Sequence, residues 1–444
     1  MLPFLALGAQ VEYEELLSVS ENGFAVAWKT DEPTLSILYY SADPDDLTPW
    51  EESAELTAMH LVWVDDLEPD TTYFYSTSLD TTPASADENP FSPGWVHTQQ
   101  APPGNYLFSF VTLNDTHVGE ETAGLIVIGG LVLTPGFTWD DPDRPYWLFT
   151  NEAAVATINE LAPDFVIHKG DVTSTAEAEQ FADAQAIFGE LDADLYYARG
   201  NHDRPRDGHD YFKEVLGIDP TYYYFDHGPL RFIILDTNNE LGSGDLSDEQ
   251  FPWLADVLND ARDAGRRVMI FSHHTFALHG ALAYAVNPAD CRQFTELLAN
   301  YPNFVGLFAG HSHRARLNFD DRTGWVPYVE TPATKEYPQG FAFYRVYEGG
   351  YTQTFHRPPC AECLAWADLT RGEYYGLAPW LMLGDLYERN FVVRYPDYQP
   401  TDDDAADDDA ISDDDNDNDN GDDTPNGQSS AADSDRDESG CGCG

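Results

Sequence analysis

Residues 195–203 read LYYARGNHD, a short apolar strand followed at once by a glycine and three polar side chains. A buried strand that ends in this way places Asn201, His202 and Asp203 at the carboxyl end of a sheet. Amide oxygen, imidazole and carboxylate are all groups that bind metals. One such ending occurs by chance in many proteins, so its meaning depends on the residues that end the other strands.

Four more apolar strands end at polar groups of the same kind. Tyr106–Leu113 runs into Asp115 and His117, Phe165–His168 into Asp171, Val268–Phe271 into His273 and His274, and Phe304–Phe308 into His311 and His313. Ligands of open α/β sheets bind beyond the carboxyl ends of the strands, so these groups should meet at one place. Five endings in series are hard to explain as an accident. They predict a single metal site.

Helical segments lie between these strands, near residues 151–161, 176–190, 247–263 and 290–300. Alternation of apolar strands with amphipathic helices is typical of βαβ units, which predicts an α/β domain over residues 104–355. Residues 356–397 hold apolar side chains without this rhythm. We interpret them as an extension packed on that domain.

The ordered motifs resemble those of the calcineurin-like metallophosphoesterase superfamily. They are DxH at 115–117, GD at 170–171, GNHD at 200–203, His273, and GHxH at 310–313. The resemblance covers residues 106–350 and implies two facing mixed sheets, a sandwich flanked by helices. It also implies metal-dependent hydrolysis of phosphate monoesters or diesters. Two divalent ions, Mn, Fe or Zn, would hold a bridging hydroxide as the nucleophile.

Carried over position by position, the resemblance implies a role for nine residues. The first metal would be held by Asp115, His117, Asp171 and His313, and the second by Asp171, Asn201, His273 and His311, with Asp171 bridging. His202 would contact the phosphate and protonate the leaving oxygen. Asp203 would orient His202 through a hydrogen bond.

Two adjacent histidines, His273 and His274, follow the same strand, and one of them is the predicted metal ligand. The family places a ligand His two residues before a Pro, and Thr275 occupies that Pro position here. We therefore predict that His273, and not His274, faces the metals.

Residues 9–100 predict an all-β, immunoglobulin-like sandwich of short strands. The run from Leu67 to Tyr75 resembles a corner of fibronectin type III domains, in which the hydroxyl of Tyr73 would bond back to the backbone. Such a domain ahead of a phosphoesterase resembles the purple acid phosphatases. Those enzymes carry DxG where this chain has Asp115-Thr-His117, and a Tyr where it has Ser174. Without that Tyr there is no phenolate ligand to give a charge-transfer colour, so we predict a colourless protein.

The formal net charge of −57 arises from 79 acidic residues against 22 Lys and Arg. Such a field repels nucleic acid, so small phosphoesters are the predicted substrates. A nuclease of the same superfamily is the alternative enzyme. The alternative from another class is a binding module that keeps the fold and has lost the metals and the activity.

Residues 398–444 predict a disordered acidic tail because the segment cannot bury enough apolar surface to fold. Its run DDDNDNDNGDD at 413–423 resembles a loose calcium loop, so weak calcium binding is one interpretation and a solvated tail is the other. Cys360 and Cys363 are interpreted as a local disulfide, as two thiols or, third, as metal ligands.

No run reaches the ~18 apolar residues of a membrane span. Met1–Gln10 reads as the remnant of a signal peptide or as a leading strand, and the final Cys-Gly-Cys-Gly resembles bacterial sorting or anchoring signals. Our hypothesis is a secreted or extracytoplasmic protein that is associated with the cell surface.

Overall fold

The protein is described from a computed structural model. The structure describes residues 9–77, 94–128, 131–239, 244–276, 285–319 and 324–399. The predicted calcium loop, nearly all of the predicted tail and most of Met1–Gln10 lie outside these ranges. None of the helices within them is long and apolar enough to cross a membrane.

The described ranges contain nineteen strands and nine helices. The strands are β1 (Val11–Val19), β2 (Phe24–Ser41), β3 (Thr48–Val64), β4 (Thr72–Ser76), β5 (Gly94–His97), β6 (Tyr106–Leu113), β7 (Val127–Ile128), β8 (Leu131–Val132), β9 (Phe165–His168), β10 (Asp194–Tyr197), β11 (Tyr223–His227), β12 (Leu230–Ile234), β13 (Arg267–Phe271), β14 (Phe304–Ala309), β15 (Arg316–Phe319), β16 (Pro327–Glu330), β17 (Phe341–Tyr347), β18 (Gly350–His356) and β19 (Phe391–Arg394). The helices are α1 (Tyr146–Leu161), α2 (Ala178–Phe188), α3 (Tyr211–Leu216), α4 (Gln250–Asp263), α5 (Pro288–Leu298), α6 (Ala361–Thr370), α7 (Glu373–Gly376), α8 (Ala378–Leu381) and α9 (Leu386–Arg389).

Two six-stranded mixed sheets form the main body. The first has the order β10-β9-β6-β17-β18-β19, and β10, β9 and β6 are parallel. The second has the order β11-β12-β13-β14-β16-β15, with four parallel strands from β12 to β16 and antiparallel edges. All five strands whose endings predicted the site belong to the parallel parts. Their carboxyl ends therefore share one edge of each sheet.

The inner faces of the two sheets pack against each other through aromatic side chains. The Phe110 ring of the first sheet lies 5.4 Å from the Phe232 ring and 6.1 Å from the Phe271 ring of the second. Helices cover both outer faces, α1 and α2 on the first sheet and α4 and α5 on the second. The predicted mixed α/β class with several sheets is confirmed.

The N-terminal region forms a five-stranded antiparallel sheet in which β2 pairs with β1, β3 and β4. Strand β2 is continuous over 18 residues and is therefore longer than the short strands predicted for this region. The hydroxyl of Tyr73 accepts a hydrogen bond from the backbone N–H of Glu68 at 3.0 Å, which is the predicted corner contact. The assignment of this region to the fibronectin type III class stays a prediction.

The segment after residue 356 contacts both the α/β domain and the N-terminal sheet. Strand β19 pairs with β18 and completes the first six-stranded sheet. The carboxylate of Glu15 in β1 accepts hydrogen bonds from Tyr337 at 2.6 Å and from Arg371 at 3.0 Å. The guanidinium of Arg389 donates to the backbone oxygens of Leu16 and Leu17. Residues 356–397 are thus integrated with the N-terminal sheet as well as with the α/β domain.

The two cysteines at 360 and 363 form a disulfide, with Cα atoms 5.0 Å apart at the start of α6. This outcome selects the first of the three interpretations. Cys291 is a buried free thiol.

His60 in β3 makes the stability of the N-terminal sheet sensitive to acid. Its ring stacks on Trp28 at 4.6 Å and hydrogen-bonds Ser36 and Thr30, and burial lowers its pKa from 6.5 to about 4. Between pH 7 and pH 5 the unfolded chain binds a proton that the folded protein excludes, so this group alone removes about 2 kcal/mol of stability.

The His60→Gln variant should therefore lose less stability than the native protein over that interval. Urea unfolding at both pH values measures the difference within each protein, which cancels any fixed cost of the substitution. An equal loss in the two proteins would exclude His60 as a source of acid sensitivity.

Candidate metal centre

The loops that follow β6, β9, β10, β13 and β14 bring the predicted metal ligands together. Four overlapping groups of three side chains each have ligand atoms within 4.8 Å of one another. Asp115, His117 and His313 form one group; Asp115, Asp171 and His273 form another; the remaining two contain His202 and His274. The loops of both sheets thus contribute to a single cluster.

Asp115 and His313 define one side of the cluster. The Nε2 atom of His313 lies 3.2 Å from Oδ1 of Asp115, and Nε2 of His117 lies 4.0 Å from the same oxygen. The other oxygen of Asp115 accepts hydrogen bonds from Asn114 at 2.6 Å and from the backbone N–H of His311 at 2.9 Å. These donors leave Oδ1 aimed at the two imidazoles.

Asp171 stands between the two sides. Its Oδ2 atom lies 3.5 Å from Nε2 of His117 and 3.1 Å from Nε2 of His273. Its Oδ1 atom accepts the backbone N–H of His202 at 2.7 Å. Burial alone would raise the pKa of Asp171, but His273 and His202 outweigh it and lower that pKa well below its usual range. The carboxylate is therefore ionised.

His273 lies on the other side of the cluster. Its Nε2 atom is 3.0 Å from Oδ1 of Asn201 and 3.2 Å from Nδ1 of His311, while its Nδ1 atom donates to the backbone oxygen of Lys169 at 2.9 Å. His274 is also buried, but its Nδ1 atom is held by Thr237 at 3.0 Å. The Nε2 atom of His274 has no hydrogen-bond partner among the described residues, and His274 belongs with His273 and His311 to one of the four groups, so the choice of His273 as the ligand stays a prediction.

The backbone of the site is strained. Five of the seven predicted ligands have left-handed φ angles: Asp115 at 53°, His117 at 41°, Asp171 at 54°, His311 at 66° and His313 at 55°. Each such residue costs roughly 1–2 kcal/mol unless its side chain forms compensating contacts. Strain of this kind concentrates at functional sites because the packing around them fixes an unfavourable geometry.

Glycines allow the loops to approach one another closely. A Cβ atom at Gly170 would lie 2.7 Å from Nδ1 of His273, and one at Gly310 would lie 2.9 Å from Oδ2 of Asp115. A Cβ atom at Gly200 would overlap the backbone and carboxylate of Asp171. The glycines before Asp171, Asn201 and His311 are therefore required by the crowding at this site.

The prediction that Asp203 orients His202 is wrong. Nδ1 of His202 donates to the backbone oxygen of Ser174 at 2.6 Å. The buried carboxylate of Asp203 instead accepts the N–H groups of Val172, Thr173 and Gly200 at 2.9–3.1 Å, together with the hydroxyl of Thr173. The reason is geometric: residues 201–203 form a 3-10 turn, and this turn directs the two side chains in different directions. Asp203 therefore fixes the loops around Asp171.

A buried polar network behind the cluster was not predicted. Oε1 of Glu336 lies 2.6 Å from Nδ1 of His313, and Oε1 of Glu120 lies 3.4 Å from Nδ1 of His117. Lys335 forms an ion pair with both carboxylates. One lysine thus holds the two carboxylates that contact the outer nitrogens of His117 and His313. No motif marks Glu336, which lies 23 residues beyond His313 in an irregular loop.

Two cations close to the site motifs, Lys169 and Arg199, have structural partners. Lys169 is fully buried, and its amine donates to Ala309 at 2.9 Å and to Thr331 at 2.7 Å. Burial lowers its pKa to about 7. Arg199 pairs with Asp210 at 2.8 Å. Neither faces the cavity of about 500 Å³ that opens beside His202 and is lined by Arg204 and Arg206.

The donor set fits divalent metal ions. Oδ1 of Asp115 and both ring nitrogens of His117 are buried without a hydrogen-bond partner among the described residues. An unpartnered buried polar atom is costly, and a bound cation would satisfy Oδ1 of Asp115 and Nε2 of His117, while Nδ1 of His117 faces Glu120. Mixed imidazole, carboxylate and amide oxygen ligands suit Mn, Fe or Zn.

Comparison with known proteins finds a family match for the region that contains the cluster. Residues 108–315 match the family model for calcineurin-like phosphoesterases. This segment is similar to calcineurin-like phosphoesterases. Members of that family are hydrolases that act on phosphoric esters and use a dinuclear metal centre. The matched segment of this chain contains all nine predicted site residues.

Two curated proteins that are similar to this chain are named as phosphodiesterases. The chain is 29% identical over 174 residues to a glycerophosphodiester phosphodiesterase of Enterobacter lignolyticus, covering 37% of this chain and 61% of that protein. It is 29% identical over 160 residues to a probable cyclic nucleotide phosphodiesterase of Rhodococcus erythropolis, covering 34% and 52%. The chain thus spans about three fifths or less of the length of these relatives.

Among solved structures, a dimetal phosphatase from Danio rerio aligns with a TM-score of 0.47 at 16% identity, covering 57% of this chain and 97% of that one.

Proposed function

We propose that the protein hydrolyses small phosphate esters at a dinuclear metal centre. The observation that carries this proposal is the position of Asp171, whose Oδ2 atom lies within 3.5 Å of both His117 and His273. A single carboxylate with imidazoles on both sides suits a bridging ligand. Asp115, His117 and His313 would complete the first metal site, and Asn201, His273 and His311 the second.

Two bound divalent ions supply a hydroxide at neutral pH and neutralise charge on the non-bridging phosphate oxygens. The chain's own residues do the remaining work. Asp115 and Asp171 are ionised and fixed by backbone N–H groups, so they need no rearrangement. Pre-organisation of this kind lowers the barrier because the groups are not reoriented during the reaction.

His202 is the proposed proton donor to the leaving oxygen. Because its Nδ1–H bonds to Ser174, the Nε2 atom is the one available to the substrate. Burial lowers the pKa of His202, and the nearby Asp171 partly offsets this effect. An incoming phosphate ester adds negative charge beside the ring, which favours the protonated form that donates the proton.

The substrate class is proposed from the relatives and from charge. Both curated relatives named above are phosphodiesterases, which favours a diester as substrate. The net charge of −57 disfavours long polyanions, so the nuclease alternative is the weaker one. The inactive-module alternative is disfavoured because all seven ligand positions and His202 are filled by groups that bind metal or transfer protons.

Metal removal and reconstitution test the proposal. The chelated protein should hydrolyse neither p-nitrophenyl phosphate nor bis(p-nitrophenyl) phosphate, and Mn, Fe or Zn should restore hydrolysis. Elemental analysis should give about two ions per chain. A protein that binds no metal, or that binds two ions and hydrolyses neither ester, would contradict the assignment. A purple or pink colour would contradict the predicted lack of a tyrosinate ligand.

The cellular location is a separate proposal. We propose secretion or an extracytoplasmic location on the basis of the apolar segment Met1–Gln10 and the terminal Cys-Gly-Cys-Gly. Fractionation of its native cells would test it, because recovery of the protein from the extracytoplasmic or secreted fraction is expected and its confinement to the cytoplasmic fraction would refute it.

A further inference from the structure

The cavity of about 500 Å³ lies next to the proposed proton donor. Residues 174–176, 201–202 and 204–206 line it. Because His202 would protonate the leaving oxygen, the cavity on its side is where the leaving group of a substrate would extend. The chemistry of its wall therefore bears on which leaving groups are preferred.

Two arginines belong to this wall, and they differ in their partners. Arg206 is neutralised: its Nη1 atom lies 2.9 Å from Glu177 and 2.8 Å from the backbone oxygen of Thr175, and its Nε atom lies 3.5 Å from Asp207. Arg204 is exposed and makes no hydrogen bond or ion pair within the part of the chain that the structure describes. Arg204 thus brings an uncompensated positive charge to the cavity.

The adjacent acidic residue does not compensate that charge. Asp203 is buried and accepts four hydrogen bonds from the loops around Asp171, so its carboxylate is turned away from the cavity. Some exposed cations of the chain have close carboxylates, such as Lys213 with Asp219 at 2.9 Å and Arg262 with Asp263 at 3.1 Å. Arg204 differs from these in lining the cavity beside His202 without such a partner, and in a chain of net charge −57 its guanidinium favours an anion at this place.

We propose that Arg204 forms an anion subsite for the leaving group. The protein would then prefer phosphate esters whose leaving alcohol carries a second anionic group, a carboxylate or a phosphate. The planar guanidinium matches both groups through two parallel hydrogen bonds. This inference rests on the proposed function and names the substrate class of that site. It makes Arg204 a specificity-determining residue that takes no part in the proton transfer.

Matched substrates test the subsite. The metal-loaded protein is assayed with 4-carboxyphenyl, 4-phosphonophenyl and 4-carbamoylphenyl phosphates, presented as monoesters or methyl diesters according to which type it hydrolyses faster. The neutral carbamoyl compound has the shape of the carboxylate and lacks its charge. The ratio of kcat/KM between an anionic and the neutral compound measures the subsite, and the two anionic compounds distinguish a carboxylate from a phosphate.

Binding is measured in parallel so that the subsite is decided even without turnover. Calorimetry with the non-hydrolysable 4-carboxybenzyl, 4-phosphonobenzyl and 4-carbamoylbenzyl phosphonates gives the corresponding ratios of association constants, anionic to neutral. We expect Arg204→Gln to lower both sets of ratios roughly tenfold and Arg204→Glu to reverse the preference. The control variant Arg292→Gln removes an exposed arginine of α5, on the outer side of the second sheet, and should leave the ratios unchanged.

The two proposals fail in different ways. Ratios that Arg204→Gln does not change, or that Arg292→Gln changes equally, would refute the anion subsite while the phosphoesterase stands. Absence of turnover of every ester by the metal-loaded native protein would refute the proposed function, and the binding ratios would still support or refute the subsite.

Discussion

His202→Ala should lower kcat for alkyl phosphate esters by about 10²- to 10⁴-fold, the usual contribution of a positioned general acid. An alkoxide is a poor leaving group, so its departure depends on the proton that His202 donates. Nitrophenolate leaves readily without a proton, and its esters should be much less affected. Parallel assays of methyl and p-nitrophenyl esters measure this difference.

Two controls make the result specific. Metal content should be unchanged in His202→Ala, because the side chain of His202 is a proposed proton donor and its backbone N–H, which bonds to Asp171, is retained. Ser174 contacts the ring through a backbone oxygen, so substitution of its side chain should have little effect on activity. Equal losses for both leaving groups, or loss of metal, would show that His202 acts in some other way.

Glu336→Gln should weaken binding of the first metal by about 10- to 100-fold, the typical effect of losing an outer partner of a ligand His. The carboxylate lies 2.6 Å from Nδ1 of His313 and fixes the ring so that Nε2 faces Asp115. Burial would raise the pKa of Glu336, but Lys335 and His313 lower it to about 2. Glutamine removes a negative charge in a buried place and can offer its N–H₂ group to the histidine.

Glu373 provides the matched control. It is buried beside Glu336, and burial together with the charge of Glu336 raises its pKa well above the ordinary value. A protonated carboxyl resembles an amide, so Glu373→Gln should leave metal affinity nearly unchanged. Competition with a chelator measures affinity for each variant without reference to activity. Similar affinities for both variants would exclude Glu336 as a positioning residue.

The convergence of the predicted metal ligands was predictable because it depends on strand order. Asp115, Asp171 and His311 each follow an apolar strand, and parallel strands bring their carboxyl ends to one edge. The choice of His273 over His274 stays a prediction, because both rings lie at the cluster. These features are local in sequence, so a single chain is enough to reveal them.

The supporting residues could not be predicted for the opposite reason. Glu336 reaches His313 from a loop without a motif, and Glu120 lies in the long segment after His117 whose path the sequence does not determine. Asp203 was misassigned because sequence adjacency to His202 suggested contact, whereas the 3-10 turn separates the two side chains. Contacts between side chains in irregular loops depend on tertiary packing that leaves no periodic signal.

The integration of the segment after residue 356 has a consequence for synthesis. On the ribosome, β1 emerges long before its later partners, and the carboxylate of Glu15 meets Tyr337 and Arg371 only after more than three hundred further residues have been made. The first six-stranded sheet likewise lacks its edge until β19 is released. The nascent chain must therefore keep an unfinished sheet soluble for most of its translation, a task for which its high negative charge is well suited.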